Sequence, residues 1–113
     1  DEIAEVLDKT GLSKQQKDEI LKIESELSII ARQGRAFGIH LVLATQRPDA
    51  AILNGQIRNN IDTRICGRAD NVLSQIILDN TDASDKIAKS SQGRFLTNSG
   101  KIFQAYWFDE NIL

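Results

Sequence analysis

The chain has 113 residues, 41% of them apolar, which allows one small domain with a modest core and excludes a second. With 14 Lys and Arg against 16 Asp and Glu, the net charge of −2 excludes attraction to nucleic acid or acidic membranes through a global field. The single cysteine, Cys66, excludes an internal disulfide and a thiolate metal cluster. Apolar runs are far shorter than the ~20 residues that span a bilayer, so we expect a soluble, cytoplasmic chain.

A long helix is the first predicted element. Ser13 and Gln16 have the spacing of a capping box, and apolar residues then recur at helical spacing, at Ile20, Ile23, Leu27, Ile30 and Ala31. Gly34 continues this stripe, where a missing side chain allows close approach to a sheet, and Gly38 can end the helix in the left-handed conformation. The pattern predicts a helix over residues 14–37.

A buried strand is predicted next. The run "IHLVLAT", residues 39–45, is apolar without alternation, which is typical of a strand covered on both faces in a parallel sheet. His40 inside it is predicted to be packed rather than to act as a ligand. Ligands of α/β sheets bind beyond the carboxyl ends of the strands, so Thr45 and Gln46 lie where a site is expected.

The second half of the chain alternates further short elements. Residues 51–60 are weakly helical, 62–68 form a short strand with a packed Cys66, and 71–79 form a helix capped by Asp70. Two β-rich runs around "NSG" in residues 93–108 predict a closing hairpin. Its aromatic residues are predicted to pack in the core rather than to stack on bases, namely Phe103, Tyr106 and Trp107. The order of elements predicts an α/β domain with a mainly parallel sheet, flanking helices and a terminal β-hairpin.

Polar residues at the ends of these elements are the candidate site. Asp1 and Glu2 open the chain without a methionine, which we interpret as a cut inside a longer domain. Such a pair can hold Mg²⁺ and polarise an attacking water, or it can be solvated surface. The amide of Gln46 can bond a terminal phosphate and a water, or serve a turn. Arg35, near the helix end, can contact the nucleotide of a neighbouring subunit, or it can be a C-terminal cation that the helix macrodipole favours.

A second group of candidates follows the proline. Arg58, Asn59 and Asn60 suit contacts to phosphate and sugar, although asparagine and glycine also simply form turns. A phosphate-binding loop of the form G-x-x-x-x-G-K-[ST] is not in the sequence, since Gly100-Lys101 is followed by Ile102. We therefore expect the isolated chain to lack ATPase activity.

Three stretches, taken together, resemble a known family. "GRAFGIHLVLATQRPD", "GQIRNNIDTRICGRADNVLSQIILDNTDA" and "GRFL", in that order, are similar to the second half of the motor domain of FtsK/SpoIIIE-type DNA translocases, in which "DE" ends the Walker B strand. The resemblance covers residues 1–2 and roughly 29–108, and is weak over 3–28. The "RNN" at 58–60 and the charged insertion after "DE" are closer to coupling proteins of Gram-positive conjugative elements than to chromosome-segregating members.

The resemblance implies a RecA-like P-loop fold, with residues 1–113 forming a partial motor domain without its Walker A half. It implies ATP and Mg²⁺ as cofactors, DNA as a partner, and a homo-oligomeric ring, a hexamer, tethered to the inner face of the bacterial cell membrane by other parts of the protein. By position, Asp1 resembles the Mg²⁺-associated acid, binding directly or through water, and Glu2 the catalytic base. Gln46 resembles the γ-phosphate sensor, and Arg35 an arginine acting in trans. The segment with Arg58 corresponds to the pore-facing region.

Two other functions stay open from the sequence. One is the ATPase of a type VII secretion system, which would move polypeptide; Arg58 in the pore segment favours DNA instead. The other is an interaction module that binds no nucleotide, which would be favoured if the native protein began at Asp1.

Overall fold

The computed structural model describes residues 2–46, 49 and 53–112. They form two compact units, Asp1–Asp62 and Thr63–Leu113. Each unit has a buried apolar cluster of its own, so the single modest core expected from the length is divided in two.

The first unit is helical in its described residues. Helix α1 spans Ile3–Leu7, α2 spans Lys14–Gln33 and continues as a 3₁₀ turn over Gly34–Phe37, and α3 spans Gly55–Asn59. The predicted capping box is confirmed: Gln16 N donates to Ser13 Oγ over 3.3 Å, and Ser13 N donates to Gln16 Oε1 over 3.0 Å. The predicted helix over 14–37 is therefore correct, apart from its tighter last turn.

Two glycines shape the end of this helix, Gly38 as predicted and Gly34 by close approach to Ile39, which is not part of a sheet. Gly38 adopts a left-handed conformation with φ of 71° and terminates the 3₁₀ turn. A Cβ at Gly34 would lie 3.0 Å from Ile39 O and 3.2 Å from Ile39 Cβ. The missing side chain thus lets the chain fold back closely on the helix, and Ile39 N donates to Gly34 O over 2.9 Å.

The face that α2 buries matches the predicted stripe only in part, since Ile20 and Leu27 pack on the core. Glu24 and Ser28 are its buried residues, whereas Ile23 and Ile30 are 38% and 39% exposed. Ser28 can be buried because its hydroxyl donates to Glu24 O over 2.9 Å. The core of this unit consists of Leu7, Leu53 and Ile57, with partly buried Ile3, Ile20, Leu27, Leu43 and Ile61 packed against it.

Residues 39–45 are not part of a strand, in contrast to the prediction. Burial alternates along the run: Leu43 packs on the core of the unit, while Val42 is 85% exposed. Only one face is covered, and no neighbouring strand among the described residues supplies ladder hydrogen bonds, which a strand requires. His40 is exposed, so the prediction that it is packed is wrong.

The second unit contains the sheet. Strands β1 (Ile65–Cys66), β2 (Arg94–Thr97) and β3 (Ile102–Gln104) lie in that order, and both pairings are antiparallel, with Cys66 opposite Leu96 and Phe95 opposite Phe103. The predicted hairpin is confirmed, and Gly100 closes its turn with φ of 90°. A parallel sheet is not formed by the residues described.

Two helices pack on one face of this sheet. Helix α4 (Asn71–Leu78) begins at Asp70, whose Oδ1 accepts from Leu73 N over 2.8 Å, as predicted. Helix α5 (Asp82–Asp85) was not predicted. The core between helices and sheet consists of Cys66, Leu78, Ala83, Ile87 and Leu96, so the predicted burial of the cysteine is confirmed.

The aromatic residues at the end of the chain are outside this core, contrary to the prediction. Phe103 lies on the other sheet face, where its ring stacks on Phe95 with centroids 5.7 Å apart. Tyr106 is fully exposed and Trp107 is 83% exposed. The helices pack on the side of Leu96, and the ring of Phe103 lies on the opposite side of the sheet with Phe95, whereas Tyr106 and Trp107 follow the end of β3.

None of the helices in the described ranges is both long enough and apolar enough to cross a membrane.

Candidate functional site

The carboxylate of Glu2 meets the end of the 39–45 run. Thr45 Oγ1 donates to Glu2 Oε1 over 2.6 Å, and Gln46 N donates to Glu2 Oε2 over 3.2 Å. We call these three residues the Glu2 cluster; Thr45 and Gln46 lie 43 and 44 positions after Glu2 in the sequence. The structure therefore joins two of the predicted site residues, Glu2 and Gln46.

The apolar residues around the cluster explain why it forms. Glu2 precedes α1, whose first residue Ile3 packs on the same core as Leu43. Ile3 N also donates to Ala44 O over 2.9 Å, which fixes the start of the helix beside the end of the run. Burial of the apolar residues thus places the next polar residue on each segment side by side.

Glu2 has an unusual backbone. Its φ of 49° and ψ of 58° are left-handed, a conformation that non-glycine residues rarely adopt and that costs of order 1 kcal/mol. The carboxylate is half-buried and receives one hydroxyl and one amide hydrogen bond. Donors of this kind hold a carboxylate in a fixed orientation, which a general base requires.

The other predicted nucleotide-site residues are placed as follows. Asp1 lies outside the described residues. Within them, no group of three His, Cys, Asp or Glu side chains is arranged to hold a metal ion. Arg35 lies in the 3₁₀ turn after α2, and its Nη2 donates to Asp62 Oδ2 over 2.6 Å. This arginine is therefore an exposed side chain paired outside the Glu2 cluster.

Helix α3 carries the three predicted DNA contacts. Arg58 is half-buried, and its Nε donates to Leu53 O over 3.0 Å. Asn60 caps the helix end through its Nδ2, which donates to Gln56 O over 2.7 Å. Asn59 is exposed. Asn59 is thus open to solvent, whereas the side chains of Arg58 and Asn60 donate hydrogen bonds to backbone carbonyls of the same segment.

Sequence reasoning missed Glu24 and its partners. Glu24 is buried in α2, bonded to Lys9 and to Asn54, the N-cap of α3. A signal was present, since Glu24 lies four positions after Ile20 and three before Leu27, on the face that the helix buries. A charged residue at such a position predicts a buried ion pair.

Comparisons with known proteins agree with the resemblance seen in the sequence. No protein-family model matches the chain. DNA translocase FtsK of Haemophilus influenzae is 32% identical over 96 residues, which cover 81% of this chain and 18% of the relative. FtsK of Tropheryma whipplei is 36% identical over 93 residues, covering 79% and 12%, and FtsK of Pseudomonas aeruginosa 46% over 59 residues, covering 51% and 7%.

A solved structure matches nearly the whole chain. The pCW3 conjugation coupling protein TcpA, in its monomer form with ATPγS, has a TM-score of 0.87 and 43% identity, over 99% of this chain and 32% of that one. The chain thus spans less than a fifth of the curated relatives and about a third of the TcpA chain. Sequence identity and fold together show that the chain belongs to the FtsK/SpoIIIE-type motor family and is homologous to one segment of its members.

Proposed function

We propose that the chain is the C-terminal half of the RecA-like ATPase motor domain of a DNA translocase of the conjugation-coupling type. The observation that carries this proposal is the Glu2 cluster, in which the Walker B-like glutamate meets the polar end of the "LATQ" run. Names of the relatives, FtsK DNA translocases and a conjugation coupling protein, support DNA rather than polypeptide as the cargo.

The cluster fits part of an ATP site. Thr45 and Gln46 donate hydrogen bonds to the Glu2 carboxylate and orient it to accept a proton from water. Gln46, the residue after Thr45, is exposed. In this proposal Glu2 is the base, Gln46 contacts the terminal phosphate, and Asp1 holds Mg²⁺ directly or through water. The metal would supply charge neutralisation of the phosphates. A glycine-rich cradle is not in this sequence, so the rest of the polypeptide has to provide it.

The same reasoning accounts for residues 39–45. Their open face, with Val42 exposed, suits packing against helices from the remainder of the motor domain, as in a parallel sheet that is covered on both faces. In this proposal they become a strand of the mainly parallel sheet.

Ring assembly and DNA contact complete the proposal. Arg35 is exposed, which supports its presentation to the ATP of an adjacent subunit in a hexameric ring. Helix α3 with Arg58, Asn59 and Asn60 is proposed to face DNA in the pore. The motor domain would lie in the cytoplasm, with other parts of the protein anchoring it at the membrane.

Substitution of the proposed base tests the function. In the full-length protein, Glu2→Gln should nearly abolish DNA-dependent ATP hydrolysis and leave ATP binding intact, because the amide keeps the shape but accepts no proton. Glu26→Gln, an exposed glutamate of α2, is the matched control and should hydrolyse normally. Normal hydrolysis by Glu2→Gln, or wild-type protein without DNA-dependent hydrolysis, would overturn the proposal.

A further inference from the structure

Glu24 is a carboxylate inside the first unit. It is 6% exposed and lies on the buried face of α2, between Ile20 and Leu27. A buried carboxylate is tolerated only if hydrogen bonds and an opposite charge replace its water. The contacts of Glu24 are therefore the reason that it can be there.

Its two oxygens bind two different segments. Lys9 Nζ donates to Oε1, and Asn54 Nδ2 donates to Oε2 over 3.3 Å. Asn54 is itself committed, because its Oδ1 accepts from Ile57 N over 3.0 Å as the N-cap of α3. We call Lys9, Glu24 and Asn54 the Glu24 network.

The network connects the two ends of the proposed motor site. Lys9 lies two residues after α1, the helix that begins beside Glu2. Asn54 starts α3, which carries Arg58 and the other proposed DNA contacts. A displacement of either segment changes the hydrogen bonding of a carboxylate that has no water to compensate for the loss.

We propose that Glu24 is a positioning residue that couples helix α3 to the segment bearing Glu2, so that DNA contact at α3 sets the rate of hydrolysis. This inference rests on the proposed function, since it presumes an ATPase stimulated by DNA. It assigns Glu24 no contact with nucleotide or DNA.

The substitution Asn54→Asp tests the coupling without removing the N-cap of α3. In Asn54→Asp, the carboxylate still accepts from Ile57 N, because aspartate caps helices as well as asparagine. The donor to Glu24 is lost, and two carboxylates then face each other. Adding Glu24→Gln reverses the polarity: the new amide can donate to Asp at position 54 while its oxygen accepts from Lys9. The double variant therefore restores every hydrogen bond of the network.

The experiment measures ATP hydrolysis by the full-length protein without DNA, with single-stranded DNA and with double-stranded DNA. Asn54→Asp should keep DNA-free hydrolysis within about 2-fold of wild type and lose on the order of 3- to 10-fold of the DNA stimulation, the range of typical coupling effects. The double variant should regain stimulation. Glu26→Gln, exposed on the same helix, should be stimulated as strongly as wild type.

Each outcome decides a different point. Full stimulation of Asn54→Asp, or failure of the double variant to recover, would overturn the inference and leave the proposed function standing. Equal losses of DNA-free and DNA-stimulated hydrolysis would reduce Glu24 to a stability role and also overturn it. If wild type shows no stimulation by DNA, the proposed function fails and the inference with it.

Discussion

Thr45 donates a short hydrogen bond of 2.6 Å to Glu2 Oε1. Thr45→Val keeps the volume of the side chain but removes the donor, which leaves Glu2 Oε1 without that bond. Hydrogen bonds to charged groups contribute about 1.5–3 kcal/mol, so we expect kcat for ATP hydrolysis by the full-length protein to fall by roughly 10- to 100-fold. Thr45→Ser retains the hydroxyl and should stay close to wild type. Full activity of Thr45→Val would show that the hydroxyl does not orient the base.

Cys66 makes the stability of the chain depend on alkaline pH. Burial raises the pKa of its thiol above the ordinary value. The folded chain therefore holds the proton more tightly than the unfolded chain, whose thiol ionises near pH ~8.5. This contribution is fully present below that pH and is lost as the pH rises toward the folded pKa. We expect the free energy of unfolding, measured in urea, to decline as the pH rises above about 8.5.

A cysteine-free variant provides the control for this titration. Cys66→Ala leaves a small cavity and should lower stability at every pH, but its free energy of unfolding should change less over the same alkaline range. If both proteins show the same alkaline decline, other groups cause it and the buried thiol does not.

At the scale of elements, Gly34 sets how closely the 39–45 run returns to α2. Gly34→Ala would bring a Cβ to 3.0 Å from Ile39 O, a backbone atom that cannot move without displacing the run. Overpacking of this kind costs about 1–3 kcal/mol, of which better helix propensity offsets up to about 1 kcal/mol. We expect a lower thermal midpoint. Gly55→Ala is the matched control, because a Cβ there meets nothing within 4 Å, and it should not destabilise.

Elements with local signals were predictable from the sequence. The capping box at Ser13, the cap at Asp70 and the "NSG" turn each involve residues within three or four positions of one another, so their chemistry is visible in a short window. The buried face of α2 was predictable only in part: apolar periodicity identified Ile20 and Leu27, but the partners of Glu24, Lys9 and Asn54, lie 15 and 30 positions away, outside a short window.

The candidate site shows the same limit. The resemblance identified Glu2 and Gln46 as site residues, and the structure brings them together. The hydrogen bond from Thr45 depends on how α1 packs against the core, and sequence alone does not give that packing. The sequence also predicted burial for Trp107 and Val42, which are exposed. Hydrophobicity predicts burial only when the surface that would cover the side chain is formed by the described residues themselves.

At the scale of the whole assembly, Arg35 and Gln46 are expected to serve different subunits. Gln46 bonds Glu2 of its own chain through its backbone, so its proposed role is in cis. Arg35 pairs with Asp62, but both side chains are exposed, and such pairs contribute at most about 1 kcal/mol. The arginine can therefore be released toward a neighbour. Arg35→Ala should keep ATP binding and lose hydrolysis by on the order of 10³-fold.

Mixed rings separate the two roles. Arg35→Ala subunits mixed with Glu2→Gln subunits should regain some hydrolysis. At some interfaces the native Glu2 of an Arg35→Ala subunit then lies opposite the native Arg35 of a Glu2→Gln subunit. Gln46→Ala mixed with Glu2→Gln should stay inactive if Arg35 is intact in both, because each subunit's own site then carries a lesion. Recovery in the second mixture and none in the first would mean that the two assignments are reversed.

The Glu24 network also has a consequence for how this segment diverges between species. Its three side chains satisfy one another in a fixed pattern of donors and acceptors, and replacing one alone leaves a buried polar atom unmatched. Substitutions at positions 9, 24 and 54 should therefore occur together among related sequences. Lineages that lose the glutamate are expected to carry uncharged residues at positions 9 and 24 and to keep a capping residue at 54, or to carry a swapped amide and acid at 24 and 54.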